Sequence, residues 1–157
     1  DLSDADGLVR AKIRLEMRQP VAKWSLGDRT YYVDGSGVAF EMNPRADPSV
    51  TVRDESGLPL QSQQLVASTK MMRFIGTTVD LMNQEGLGKV RELVIPPATL
   101  KEVDMYIDGR NYRIKMSTER GVVGQISDIT HAITYLDGIS TDPQYIDVRV
   151  EGRAFYR

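Results

Sequence analysis

The 157-residue sequence has no cysteine and a single histidine. Without cysteine there is no disulfide, no thiolate nucleophile and no zinc site built on sulfur. Neither sign of charge dominates: 20 lysines and arginines stand against 22 aspartates and glutamates, a formal net charge of −2. No global field therefore draws the chain to nucleic acid or to an anionic membrane. Aromatic residues make up 7%, and they are not interleaved with arginine as a base-stacking platform requires. No apolar stretch approaches the ~20 residues of a membrane span, and nothing at the amino terminus resembles a signal peptide. The first residue is Asp1, not methionine, which leads us to expect a piece of a longer protein whose targeting and anchoring elements lie elsewhere.

What is present is ordinary globular composition, 41% hydrophobic and 27% charged, enough for one domain with a sizeable core. Basic residues gather at Arg10, Lys12, Arg14 and Arg18 and again at Arg149, Arg153 and Arg157. Both groups fit the solvated faces of strands.

The pattern along the chain switches between two periods. Val9, Ala11, Ile13, Leu15 and Met17 alternate with charged residues, which predicts a half-buried strand ending at Gln19-Pro20. Residues 29–33 and 38–40 flank Asp34-Gly35-Ser36-Gly37 as a hairpin, and 50–53 is a further short strand. From about Ser62 to Met82 the apolar residues Leu65, Met72, Ile75, Val79 and Met82 recur at helical spacing. Alternation returns over 90–95, 103–107 and 112–116. The last two make a hairpin across Asp108-Gly109-Arg110-Asn111, with Val103, Met105, Ile107, Tyr112, Ile114 and Met116 facing one core. Residues 126–136 are helical again, with Ile126, Ile129, Ile133 and Leu136 on one side, and a strand runs from Tyr145 to Val150 or beyond. Strands, helix, strands, helix and strand predict an α+β domain, two helices covering a largely antiparallel sheet.

Catalytic and metal motifs fall short on inspection. Ser127, Asp128 and His131 share a helix face but lack a triad's serial arrangement and oxyanion hole. Asp4-Ala5-Asp6-Gly7 would place Leu2 and Ile13 at the first and last positions of a calcium loop, where carboxylates belong. Gly86-Leu87-Gly88-Lys89 has Asn83 where a phosphate loop needs glycine and Val90 where it needs a hydroxyl. Asp104 and Asp108 are explained by a strand face and a turn. The reading is a binding or structural domain that is not an enzyme and needs no cofactor.

Three stretches in order resemble a known family. RQPVAKW (18–24) leading into YYVDGSGVAFE (31–41), GLPL (57–60) before the long helix, and YIDVRVEGRAFYR (145–157) are similar to the FtsQ/DivIB family of bacterial cell-division proteins. The resemblance implies that residues 1–19 end a POTRA domain and 20–157 form the family's β domain. It also implies a single-pass protein of the inner or plasma membrane, this part periplasmic or extracellular at the division septum. Its function would be that of a non-catalytic scaffold, and its partners FtsB/DivIC-like and FtsL-like proteins, the former adding a strand to the sheet edge. The alternatives are a module of a POTRA-bearing membrane assembly or transport protein, and a cell-wall binding domain.

On this reading the partner-binding residues are Tyr145, Asp147, Arg149, Val150, Glu151, Gly152, Arg153, Phe155 and Tyr156. An extended run turns Ile146, Val148 and Val150 to the core and Tyr145, Asp147, Arg149 and Glu151 outward. Arg149 would pair with an acidic side chain of the partner, while Asp147 ties down neighbouring backbone. Val150 to Gly152 would offer backbone groups to the added strand. Either Phe155 points outward on an unbroken strand, or a bulge at Gly152 turns Tyr156 outward instead.

Overall fold

The computed structural model describes residues 13–14, 18–41, 48, 50–57 and 65–157. Most of the expected strand from Val9, and with it most of the expected POTRA segment, lies outside the described residues; where it is described, Ile13 and Arg14 belong to no strand and Ile13 is exposed, not turned to a core. The elements are β1 (Ala22–Leu26), β2 (Arg29–Val33), β3 (Ala39–Phe40), β4 (Thr51–Asp54), α1 (Thr69–Gln84), β5 (Val90–Ile95), β6 (Glu102–Ile107), β7 (Arg113–Ser117), α2 (Val122–Gly138), β8 (Tyr145–Asp147) and β9 (Phe155–Tyr156). The strands form one nine-stranded sheet in the order β3-β2-β1-β4-β5-β6-β7-β8-β9. Five pairings are antiparallel and three parallel. The fold is α+β, with a mostly antiparallel sheet and two helices.

The topology explains why one face is covered and the other is open. β4 joins its parallel neighbour β5 through α1, and β7 joins its parallel neighbour β8 through α2. All four strands run the same way, because the antiparallel β6 separates β5 from β7. Both connections also step the same way along the sheet, so the right-handed crossover rule places both helices on one face. The helices touch each other and share a single core.

Register sorts the side chains into rows. Trp24, Val52, Leu93, Met105, Ile114 and Ile146 line up across six strands on the helix side, and all are fully buried. Met72, Ile75 and Met82 from α1 and Ile126, Ile129, Ile133 and Leu136 from α2 close over them. The next row, Lys23, Thr51, Glu92, Tyr106, Arg113 and Tyr145, lies on the opposite face. That face is polar and half-exposed. The Arg53 guanidinium forks onto Glu92 at 3.1 and 3.2 Å, and the Lys115 Nζ sits 4.6 Å from the Tyr145 ring centre.

The 29–33/38–40 and 103–107/112–116 hairpins form as the sequence predicts, and the six apolar residues of the second are all buried. One expectation here needs correcting. The helix begins at Thr69, not near Ser62, with the Ser68 hydroxyl accepting the Met71 N–H at 3.1 Å as its cap. Leu65 instead pairs with Val38 as an isolated bridge, and the Val66 N–H donates to the Gly37 carbonyl at 3.0 Å. β1, a strand not among those expected, also forms: Ala22, Trp24 and Leu26 alternate with Lys23 and Ser25 in a run of five residues.

Gly37 makes that crossing possible. It has φ +86°, and a Cβ built on it would lie 1.8 Å from the Ala67 carbonyl oxygen. Gly109, at φ +77° in the turn between β6 and β7, has open space around it. Gly37→Ala is expected to cost several-fold more stability than Gly109→Ala, which pays only the left-handed backbone penalty of about 1–2 kcal/mol. Thermal unfolding of the two variants checks this, and equal losses would remove the steric role assigned to Gly37.

Candidate partner-binding edge

The terminal run does not form one strand. β8 stops at Asp147, although the Val148 N–H still donates to the Lys115 carbonyl at 3.0 Å. Two side chains take over the backbone there. The Asp147 carboxylate accepts the Arg149 backbone N–H at 3.1 Å, which bends the chain as an Asx turn. The Arg120 guanidinium donates to the Val148 carbonyl and to Asp128 of α2 at 3.1 Å. A turn follows in which the Arg153 N–H donates to the Val150 carbonyl at 3.3 Å and Gly152 has φ +66°. The chain reverses, and β9 pairs back on β8 with Phe155 opposite Asp147 and Tyr156 opposite Ile146.

This geometry settles how the expected site residues are arranged. Tyr145, Asp147 and Phe155 share the open face of the sheet; Ile146 and Tyr156 share the helix face. Ile146 and Val148 are buried as expected, whereas Val150 lies in the turn and is 50% exposed. Val150 to Gly152 therefore belong to a reversal and are not an extended edge. Glu151 and Arg153 flank Gly152, both exposed. Neither sequence alternative for the aromatic pair holds in full: Gly152 serves a turn and not a bulge, and Phe155 is the outward residue all the same. The Tyr156 ring lies 6.2 Å from that of Tyr135 on α2.

β9 is the outermost strand beyond β8 among the described residues. The Arg157 N–H donates to the Tyr145 carbonyl at 3.3 Å. Inward and outward hydrogen bonding alternate along an antiparallel strand, so the Tyr156 N–H and carbonyl point away from β8 towards the open side. Among the described residues, five of the eight exposed large apolar side chains, namely Tyr135, Ile139, Val150, Phe155 and Tyr156, lie on the end of α2 or on the segment that carries β9. A hollow of about 270 Å³ lies between α2 and the β9 segment, lined by Ala132, Tyr135, Ala154 and Tyr156 among others; of the five, Tyr135 and Tyr156 border it.

The charged part of the edge sits on the open face. The Arg149 Nε and Nη2 donate to Asp147 at 2.9 and 2.6 Å, and its Nη1 lies 2.6 Å from Glu102 at the start of β6. The two carboxylates hold the guanidinium above its usual pKa against the effect of burial. Burial pushes Asp147 up, but the side-chain and backbone hydrogen bonds from Arg149 outweigh it and hold the carboxyl below its ordinary range. Asp104, two residues along from Glu102, goes the other way: burial raises it despite the nearby Arg113 and Lys115. Sequence reasoning found Asp147 and Arg149 but missed Glu102 and Arg120, since no local spacing links them to the terminal run.

The remaining candidates do not converge on chemistry. Asp128 is held by Arg120, so the helix face of His131 lacks a free carboxylate to orient the ring. A hollow of about 330 Å³ at the start of α1 is mainly apolar, with Trp24, Met71, Ile95 and Leu100 in its lining. No group of acidic or histidine side chains suited to a metal occurs among the described residues.

A scan against models of known protein families finds none that matches the chain. Among curated proteins it is similar to the major capsid protein of Pseudomonas phage phiKZ, 23% identical over 125 residues. That stretch is 75% of this chain but 17% of the phage protein, so the chain spans about one sixth of that relative's length.

Asp147→Asn is expected to lower the thermal midpoint at pH 7 by roughly 3–6 °C, the equivalent of about 1–2 kcal/mol. The depressed carboxyl contributes stability above its ordinary pKa of 3.8, and that contribution is lost as pH falls through the lower folded value. The gap between wild type and variant should therefore close in acid. Melts across pH 2–7 check this, and a gap that stays constant would show that the charge on Asp147 is not what matters.

Proposed function

We propose that this chain is the extracytoplasmic β domain of an FtsQ/DivIB-like division protein, a non-catalytic scaffold that accepts a strand from an FtsB/DivIC-like partner at the open edge of β9. The observation that carries the proposal is the position of β9 as the outermost strand, with the Tyr156 backbone turned away from β8 and Phe155 exposed beside it. Main-chain bonds to such an edge supply affinity, and the flanking side chains supply specificity. The order of the VDGSG hairpin, the long helix and the closing YIDVR stretch supports the family reading. An FtsL-like protein joins through the same partner. The full-length protein would be anchored by one membrane helix outside the described residues, among which no helix is long and apolar enough to cross a membrane.

Arg149 keeps the role expected of it, recognition of an acidic side chain of the partner, with its orientation set by Asp147. The planar fork of arginine makes lysine a poor replacement there. Phe155 takes the place of an outward apolar anchor. The likeness to a phage capsid protein favours a second reading, a shell-forming protein in which the same edge joins copies of the chain. Sedimentation separates the two, since a shell subunit self-associates through β9 and a division scaffold meets a different chain there.

Tyr156→Pro removes the outward N–H and leaves the bonds of Phe155 and Arg157 to β8 in place. Calorimetric titration with the extracytoplasmic segment of the host's FtsB/DivIC-like protein should show at least ten-fold weaker binding to this variant. The thermal midpoint should stay within a few degrees of wild type. Undiminished binding would place the partner away from β9, and no binding to the wild-type fold would remove the scaffold reading.

A further inference from the structure

Arg149 is held by two carboxylates of unlike character. Asp147 is mostly covered, grips the guanidinium at two points and also accepts the Arg149 backbone N–H. Glu102 makes one contact at 2.6 Å, and its side chain is 41% exposed. The first contact is part of the turn. The second is an exposed ion pair of the kind that contributes little to stability and exchanges readily.

The surroundings repeat this arrangement. A hollow of about 310 Å³ lies on the open face of the sheet beside Arg149, bordered by Lys101, Glu102, Glu119, Asp147 and Val150 among others. Its second cation, Lys101, is paired at 3.1 Å with Glu119, and both side chains are more than half exposed. Two cations therefore line one hollow, each neutralised from within the chain by a solvent-accessible glutamate. The hollow shares Asp147 with the edge, and Phe155 stands opposite Asp147 on that same face.

We infer that Glu102 is a placeholder for a carboxylate of the partner: on binding, an acidic side chain of the added segment displaces it from the Arg149 Nη1, while Asp147 keeps its own grip. This inference rests on the division-scaffold reading and adds to it a residue that weakens binding. An incoming carboxylate must compete with Glu102, and it also meets the repulsion of Glu102, Asp104 and Asp147 around the same guanidinium. Glu102 thereby selects for partners whose remaining contacts at Phe155 and the β9 backbone are good enough to win the exchange.

The test is a binding cycle with the extracytoplasmic segment of the host's FtsB/DivIC-like protein, measured by calorimetry on wild type, Glu102→Gln, Arg149→Ala and the double variant. Glu102→Gln should bind about two- to five-fold more tightly, the worth of an exposed ion pair. In the Arg149→Ala background the same change should have no effect, since nothing is left to release. Equal or weaker binding by Glu102→Gln overturns the inference and leaves the scaffold reading intact. An equal gain in both backgrounds also overturns it, because the effect is then general charge and not exchange. If neither wild type nor Glu102→Gln binds while both are folded, the scaffold reading falls and this inference with it.

Discussion

An aspartate at a strand end, accepting the backbone N–H two residues further on, is the contact on which the layout of this fold depends. Among the described residues it occurs three times. Asp34 after β2 accepts the Ser36 N–H at 2.9 Å, Asp54 at the end of β4 accepts the Ser56 N–H at 2.9 Å, and Asp147 at the end of β8 accepts the Arg149 N–H at 3.1 Å. Each carboxylate has a second side-chain donor: Arg18 for Asp34, the Trp24 indole for Asp54 and the Arg149 guanidinium for Asp147. For Asp34 and Asp54 the second donor is distant in sequence, so one group makes both the local turn and a tertiary contact; for Asp147 both donors belong to Arg149. A strand that would otherwise run on is stopped and pinned at the same point.

At β8 this contact creates the candidate site. Had the strand continued to Val150, the sheet would end in one long extended edge. Capture of Arg149 by Asp147, together with Arg120 on the Val148 carbonyl, turns the chain back and leaves β9 outermost. Phe155 and Tyr156 then point to opposite faces, one beside the charged hollow and the other beside α2. The charged hollow and the apolar contact with α2 are separated by the thickness of a single strand.

The sequence discloses this architecture unevenly, and the reason is range. The β6–β7 hairpin and the core face of α2 follow from periodicity alone, because neighbours a few residues apart decide them. The start of α1 does not, because Leu65 and Val66 are drawn into extended pairing by Val38 and Gly37, nearly thirty residues earlier. β1 alternates over only five residues, Ala22, Trp24 and Leu26 against Lys23 and Ser25, and it is secured as a strand by β2 and β4 on either side. In the terminal run the alternation correctly buries Ile146 and Val148 and then fails at Val150. The break there is made by Asp147, whose tie to neighbouring backbone the sequence does suggest, together with Arg120, 28 residues away from Val148, which no local pattern reveals.

The brevity of β9 has a consequence for solubility. An exposed sheet edge is a template for uncontrolled stacking, and proteins commonly blunt it by keeping the last strand short or charged. A strand of two residues presents a single outward N–H and carbonyl, at Tyr156. That is too little backbone for an arbitrary extended segment to grip. On the proposed function, a partner strand would have to bring matching side chains, so the same shortness that guards against aggregation would also enforce choice of partner.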